Sequence, residues 1–316
     1  MPCYLALPMQ VHQSIESLPF FKNAVVTIGT FDGVHLGHQQ IVHALLHEAR
    51  RVDGDSVIIT FHPHPRKIVQ PETSLQLINT LNEKTELLEQ QGIDHLVIVP
   101  FSAEFAALSA DEYIKEFLVE KFHPKVIVIG YDHHFGKGRK GNFQMLDQQK
   151  ERWGYELIEI PKHILDEIDI SSTKIRTALL KSDIQTANKL LGYNFFFEGK
   201  VVAGDQLGRE LGYPTANLEY TDADKIHLGE GVYAVEVFVS GSLKQGMLSI
   251  GKRPTLNDFI ERVEVNIFDF QGDLYGETLR IIVKSFLRPQ YKFDTLSALT
   301  EQIHLDKINS LKALNN

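Results

Sequence analysis

The chain has 316 residues, with 32 Lys and Arg against 41 Asp and Glu, for a net charge of −9 at pH 7. That balance argues against a protein built to grip a nucleic-acid backbone, which needs cationic surface to displace counterions, but it leaves room for a small anion in a locally positive pocket. A single cysteine, Cys3, excludes an internal disulfide and a cysteine metal cluster, no apolar run approaches the length of a bilayer span, and Met1–Gln10 lacks the basic start and long apolar region of a secretory leader. The expectation is a soluble cytoplasmic protein with no membrane partner.

Along the first part of the chain, short β-branched runs alternate with helical patterns. The runs are Ala24–Gly29, Ser56–Phe61, His95–Phe101, Lys125–Gly130 and Tyr155–Ile160. Several are apolar nearly throughout, the pattern of strands covered on both faces in a parallel sheet. Ile41, Leu45 and Ala49 share one helical face, and Ser109 with Glu112 forms a capping box ahead of a helix over Tyr113–Lys121. Strand and helix in alternation predict an α/β, doubly wound, Rossmann-like layer.

After Gly192 the pattern changes to strands, at 195–204, 231–241, 243–251, 261–270 and 279–287, separated by glycine-containing turns such as Ser240-Gly241 and Gln271-Gly272-Asp273. This stretch predicts a compact antiparallel β-barrel or sandwich. A terminal helix follows, with Asp294 as its cap and Leu296, Leu299, Ile303 and Ile308 as its apolar positions. The boundary is expected near 181–194, giving domains 1–186 and 187–316, with no internal repeat.

The first strand runs straight into Thr30-Phe31-Asp32-Gly33-Val34-His35-Leu36-Gly37-His38 and then into a helix. Gly29, Gly33 and Gly37 allow a sharp turn and a close backbone approach to a ligand. The new helix attracts an anion through its unpaired N–H groups and dipole. His35 and His38, three residues apart, lie on one side of that helix start and can donate together to phosphate oxygens, stabilising charge on a phosphorus centre and on departing pyrophosphate. Asp169 to Arg176, with Ser171, Ser172 and Thr173, starts another helix. Its hydroxyls serve as ordinary caps or, with Arg176 one turn on, as an anion site. Between them, Gly130 to Asn142 is a loop rich in glycine and cations directly after a strand, where α/β proteins place ligands.

Gly29-Thr-Phe-Asp-Gly-Val-His-Leu-Gly-His38, followed by Ile170-Ser-Ser-Thr-Lys-Ile-Arg176, resembles the HxGH/ISSTxIR nucleotidyltransferase superfamily, and with Thr60-Phe-His-Pro-His-Pro65 it looks most like the FAD synthetase branch. The resemblance implies ATP-phosphate binding by the first stretch, including Gly29, Phe31, Gly33, His35 and His38, with Ser172, Thr173 and Arg176 closing on it. It also implies that Asp132 takes part in flavin and nucleotide placement. The family more often carries glutamate at the His62 position and an aromatic at the His133 position.

In the second half, Gly208-Arg-Glu-Leu-Gly212-Tyr-Pro-Thr215-Ala-Asn217 forms a stiff glycine–proline loop with two neutral oxygens, Thr215 and Asn217, which suit Mg²⁺ completed by phosphates and water. An ordinary turn is the other reading of those letters. On the strand that follows, Val263, Val265 and Ile267 alternate with Arg262, Glu264 and Asn266. Glu264 is therefore either simply solvated or, beside Thr215 and Asn217, a general base for a substrate hydroxyl. Together with Gly231-Val-Tyr-Ala234, Ile250-Gly-Lys-Arg-Pro-Thr255 and Asp273-Leu-Tyr-Gly276, these segments resemble riboflavin kinase in content and order. That likeness implies Mg²⁺–ATP at Thr215 and Asn217, phosphates near Gly208 and Gly212, Glu264 as base on the ribityl 5′-hydroxyl, and Arg288 near the flavin. Departures are Tyr193-Asn194, where relatives commonly read Arg-Pro, and Ala203, where histidine is frequent.

The combined pattern resembles prokaryotic-type bifunctional riboflavin kinase/FAD synthetases, with ATP, riboflavin, FMN and FAD as small-molecule partners. Both reactions are attacks of oxygen on phosphorus, so positioning and charge neutralisation do the chemistry without a nucleophilic side chain. The alternatives are a single-activity enzyme with one degenerate domain, and a non-enzymatic histidine-dependent metal or nucleic-acid binder, suggested by 14 histidines and the cations at Lys137–Lys140. The oligomeric state is not legible in the sequence.

Overall fold

The apolar runs of the first half assemble one six-stranded sheet in the computed structural model, which describes residues 8–161, 170–204, 208, 211–253 and 258–315. Its strands are β1 (Gln10–His12), β2 (Val25–Ile28), β3 (Ser56–His62), β4 (His95–Pro100), β5 (Val126–Gly130) and β6 (Glu156–Ile160). They lie in the order β1-β4-β3-β2-β5-β6, and every pair is parallel. Chain direction across the sheet reverses between β2 and β5, so the carboxyl ends of those two strands border a topological switch point. The segments leaving them are the two the sequence marks out, 29–38 and 131–142. Val26, Ile28, Val57, Ile59, Val97, Val99, Ile127 and Ile129 fill the core with Ile114, Phe117 and Leu118 of the covering helix. The Ser109–Glu112 capping box is present, and helical structure runs on through Ala110–Glu112, a wider π-wound Tyr113–Val119 and Glu120–Phe122.

The second half forms a closed antiparallel barrel from β7 (Phe196–Val202), β8 (Ala216–Tyr220), β9 (Gly231–Val239), β10 (Ser242–Arg253), β11 (Asp258–Ile267) and β12 (Thr278–Arg288), in the order β10-β11-β8-β7-β12-β9. Val263, Val265 and Ile267 are buried, as their alternation requires. Helices Ser172–Leu180 and Ile184–Leu191 precede the barrel, and Leu296–Leu314 follows it. The cap of that last helix is Thr295, which accepts from the Ala298 N–H, rather than Asp294. Its stripe also differs from expectation. Leu299 and Ile303 are half-buried while Leu296 and Ile308 are exposed, and the best-buried positions are the polar Asp306 and Ser310. The reason is an ion pair: Asp306, 2% exposed, receives the Arg288 guanidinium at 2.7 Å.

Contacts divide the chain into two compact units, Met1–Leu75 with Asn79–Ser171, and Gln76–Ile78 with Ser172–Asn316. The short insert Gln76–Ile78 joins the second unit by a parallel bridge of Leu77 with Lys225, through Leu77 N–H to Asp224 O at 2.6 Å and Ile226 N–H to Leu77 O at 2.8 Å. Lys225 is itself 1% exposed and donates to the Ile78 and Phe196 carbonyls, each at 2.7 Å. The helix start expected at Asp169 lies outside the described residues, as do Cys3, Arg209, Glu210, Pro254 and Thr255.

Asp306→Ala strands a guanidinium that has little access to water, a loss of about 3–5 kcal/mol. Urea unfolding of the barrel is expected to show a clearly lower midpoint, and an unchanged midpoint contradicts this packing.

Candidate active sites

In the first unit the backbone turns sharply where β2 ends. Gly29 N–H still pairs with Ile59 O at 3.0 Å, after which Phe31, Gly33 and Val34 take φ values of +48°, +93° and +36°. His35 then caps the helix Leu36–Val52, its Nδ1 accepting the His38 N–H at 3.3 Å. In a neutral imidazole that bond places the ring proton on Nε2, the donor side. The His35 and His38 rings stack with centroids 3.7 Å apart and an interplanar angle of 13°. Gly37 leaves room for the stack, since a Cβ there would crowd the His35 ring at 3.3 Å. Phe31 also packs against His38, with centroids 5.0 Å apart and an interplanar angle of 48°. Burial first, then His35, then Lys84 hold His38 well below the usual histidine range, so it is neutral at pH 7. Its Nδ1 is buried with no hydrogen-bond partner.

Lys84, on the helix Leu81–Glu89, escapes a reading of the sequence because it is one lysine among the polar positions of a short helix. It is 7% exposed, and its Nζ donates to Thr30 O at 2.7 Å. Asp32 is likewise buried and accepts the Asn79 N–H at 3.3 Å.

After β5, Asp132 is exposed and His133 N–H closes a turn on Gly130 O at 3.0 Å. The His133 Nε2 is buried without a partner, and burial, then His134 and Arg139, push this histidine down to about 4. Reciprocal backbone bonds between Phe135 and Gly141, 3.1 and 2.9 Å, fold the cationic stretch back on itself. Ser172, Thr173 and Arg176 begin the helix Ser172–Leu180 of the second unit, where Arg176 Nε donates to Gln76 O at 2.8 Å.

In the barrel, antiparallel register sets Glu264 of β11 opposite Asn217 of β8. Thr215 Oγ1 donates to Glu264 Oε2 at 3.4 Å, so all three residues singled out in the sequence meet. The loop before β8 is held by Tyr213 N–H to Gly208 O at 2.8 Å and by Asn266 Nδ2 to Pro214 O at 2.6 Å, with Gly212 at φ +80°. Gly204 and Gly208 are bare where they must be: a Cβ on the first would overlap the Asn217 amide, and one on the second would overlap the Tyr213 carbonyl. Beside this loop a cavity of about 630 Å³ is lined by Gly212, Tyr213, Pro214, Asn266, Phe268 and Phe270, within the range of about 300–1,000 Å³ usual for small-molecule pockets. Arg288 is engaged by Asp306 and Pro289 O and lies over the rings of Tyr291 and Phe293, at 5.3 and 5.8 Å.

The donor set at Thr215, Asn217 and Glu264 is all oxygen, which fits a hard cation such as Mg²⁺. Among the described residues no trio of His, Cys, Asp or Glu side chains is grouped to hold a metal by itself.

A doubly wound unit with stacked histidines at a helix start, and a small barrel with a carboxylate beside threonine and asparagine, define a two-site transferase acting at phosphorus. The FAD synthetase family model matches residues 18–174, and the riboflavin kinase model matches 191–314. The Haemophilus influenzae bifunctional riboflavin kinase/FMN adenylyltransferase is 35% identical over 93% of this chain and 95% of its own. The Bacillus subtilis protein of the same name is 35% identical over 93% of both chains. A crystal structure described as a macrolide-efflux protein from Streptococcus pneumoniae has a TM-score of 0.86 and 32% identity, over 96% of this chain and 99% of that one. The chain belongs to the bifunctional riboflavin kinase/FMN adenylyltransferase family. Among the described residues no helix is long and apolar enough to cross a membrane.

Four histidines of the first unit, His12, His38, His95 and His133, are held below their ordinary range with burial as the leading cause. The unfolded chain takes up these protons near pH 6.5 and the folded chain only further down, near 4 for His133, so stability falls as pH drops between those values. Calorimetry from pH 7 to 4.5 is expected to show the first unit's transition moving down, less so in His133→Phe. An identical slope in that variant contradicts the assignment.

Proposed function

We propose that the chain runs two successive steps at two separate sites. The chain is a bifunctional enzyme of flavin cofactor synthesis: the barrel transfers the γ-phosphoryl of ATP to riboflavin, giving FMN and ADP, and the doubly wound unit joins FMN to AMP from a second ATP, giving FAD and pyrophosphate.

In the kinase site, Glu264 takes the proton of the ribityl 5′-hydroxyl as that oxygen attacks the γ-phosphorus. Thr215 and Asn217, with the phosphates, would hold Mg²⁺, which neutralises charge on the phosphate oxygens. The loop carrying Gly208 and Gly212 wraps the phosphates, and Arg288 stands at the flavin end. In the adenylyl-transfer site, the turn Gly29, Phe31, Gly33 and the helix start receive the triphosphate. A phosphate oxygen of FMN attacks the α-phosphorus, and pyrophosphate leaves carrying the bridging oxygen. His35 and His38 donate to the oxygens on which charge grows. Ser172, Thr173 and Arg176 close on the same phosphates, and Asp132 places flavin and nucleotide. The functional boundary is set at 186/187, and the cytoplasm, which supplies ATP, is the working compartment. The observation that carries this reading is the meeting of Glu264, Thr215 and Asn217 in a chain whose family performs both reactions.

Riboflavin, ATP and Mg²⁺ incubated with the enzyme are expected to yield FMN and then FAD by chromatography, and FMN alone overturns the first unit's role. Glu264→Gln is expected to slow FMN formation about 10²–10⁴-fold while FMN still becomes FAD. His38→Ala is expected to do the reverse, by about 10²-fold. Loss of both activities from either folded variant contradicts the division. Gly204→Ala, which pushes the Asn217 amide aside, is expected to impair phosphorylation alone.

A further inference from the structure

We propose that Lys84 is a positioning residue for adenylyl transfer: its ammonium anchors the Thr30 carbonyl, so that the turn from Phe31 to Gly33 is held in register with His35 and His38. The inference rests on the adenylyl-transfer reading of that turn, in which Lys84 has no assigned part.

The turn needs an anchor because it is not at ease. Phe31 and Val34 are bulky residues at positive φ, a conformation that costs on the order of 1 kcal/mol each and persists only where neighbours over-determine it. Two latches from one short stretch of chain do so. The Asn79 N–H binds the Asp32 carboxylate at 3.3 Å, and five residues later Lys84 Nζ binds Thr30 O at 2.7 Å. Thr30 O also accepts from Thr60 Oγ1 at 3.2 Å, and Lys84 Nζ stands 3.5 Å from that same hydroxyl. The capping box of Thr80 with Glu83 fixes the first turn of the helix that carries Lys84. Phe31, pinned between the two latches, is the ring that packs against His38.

A packing role alone does not account for a cation here. An ammonium deprived of water is costly, and a methionine fills the same space without that cost. What the ammonium adds is a fixed positive charge beneath a turn that receives a polyanion, in surroundings where charge acts strongly. Asp32 supports its charged form, while burial draws its proton affinity down to about 8; His38, and through it His35, is the other titratable neighbour. The ammonium therefore carries most of its charge at pH 7 and loses it as pH rises through about 8.

The test uses the full-length enzyme. In Lys84→Met, the kcat/KM for ATP in FMN-to-FAD conversion is expected to fall about 10- to 100-fold, through KM for ATP, with KM for FMN within about twofold, the control that the first unit is folded, and riboflavin phosphorylation by the barrel unchanged. In the unaltered enzyme, KM for ATP in the same reaction is expected to rise between pH 7.5 and 9, a measurement that needs no variant to fold. A silent Lys84→Met, equal losses for ATP and FMN, or a flat KM for ATP across that pH range overturns the proposal. His38→Ala assayed in parallel separates the two readings: impaired adenylyl transfer there with a silent Lys84→Met removes Lys84 alone, whereas a silent His38→Ala removes the site itself.

Discussion

A backbone can close on a phosphate only where no side chain stands between them, and both units are built around that exclusion. In the first, the His35 ring that stacks on His38 lies 3.3 Å from where a Cβ of Gly37 would stand. In the barrel, the missing Cβ of Gly204 is the space filled by the Asn217 amide, opposite Glu264. A Cβ at Gly204 would overlap the Asn217 amide outright, whereas one at Gly37 would crowd the His35 ring at 3.3 Å. Each site lies where a strand and a turn meet, and the turn is fixed by long-range bonds: Thr30 by Lys84 and Thr60, Pro214 by Asn266.

The two sites neutralise charge differently, and the difference follows from what each contains. The doubly wound unit offers a helix start, two imidazoles and a buried ammonium, so its own groups can meet a triphosphate on a chain of net charge −9. The barrel offers a carboxylate and neutral oxygens. A carboxylate that is to remove a proton beside phosphate oxygens repels them unless a cation lies between, and the proposed kinase step calls for a divalent ion on that ground.

The sequence carried the fold wherever burial is two-sided. The runs of β2 to β5 are apolar nearly throughout, that of β6 at the sheet edge carries Glu156 and Glu159, and the observed ends of all five lie within one residue of the expected ones. It hid β1, three residues at the edge with two exposed side chains, and β8, whose Pro-Thr-Ala-Asn start reads as a turn until Glu264 pairs with it. The joining of Gln76–Ile78 to the second unit was also illegible, because it depends on Lys225, a residue normally placed on a surface. Site residues were legible where type and spacing coincide, as at His35 and His38 or at Thr215 and Asn217. Lys84 and Asp306 were not, since each is an ordinary charged residue on a helix whose role comes only from its partner across the fold.

The central claim is that each unit holds its own nucleotide. Isothermal titration of the full-length chain with α,β-methylene-ATP and Mg²⁺, which neither reaction can cleave at the α–β bond, counts those sites directly. The account predicts two nucleotides per chain, one of them lost in a variant of the first unit's turn such as Gly33→Val. Saturation at a single nucleotide per chain contradicts it.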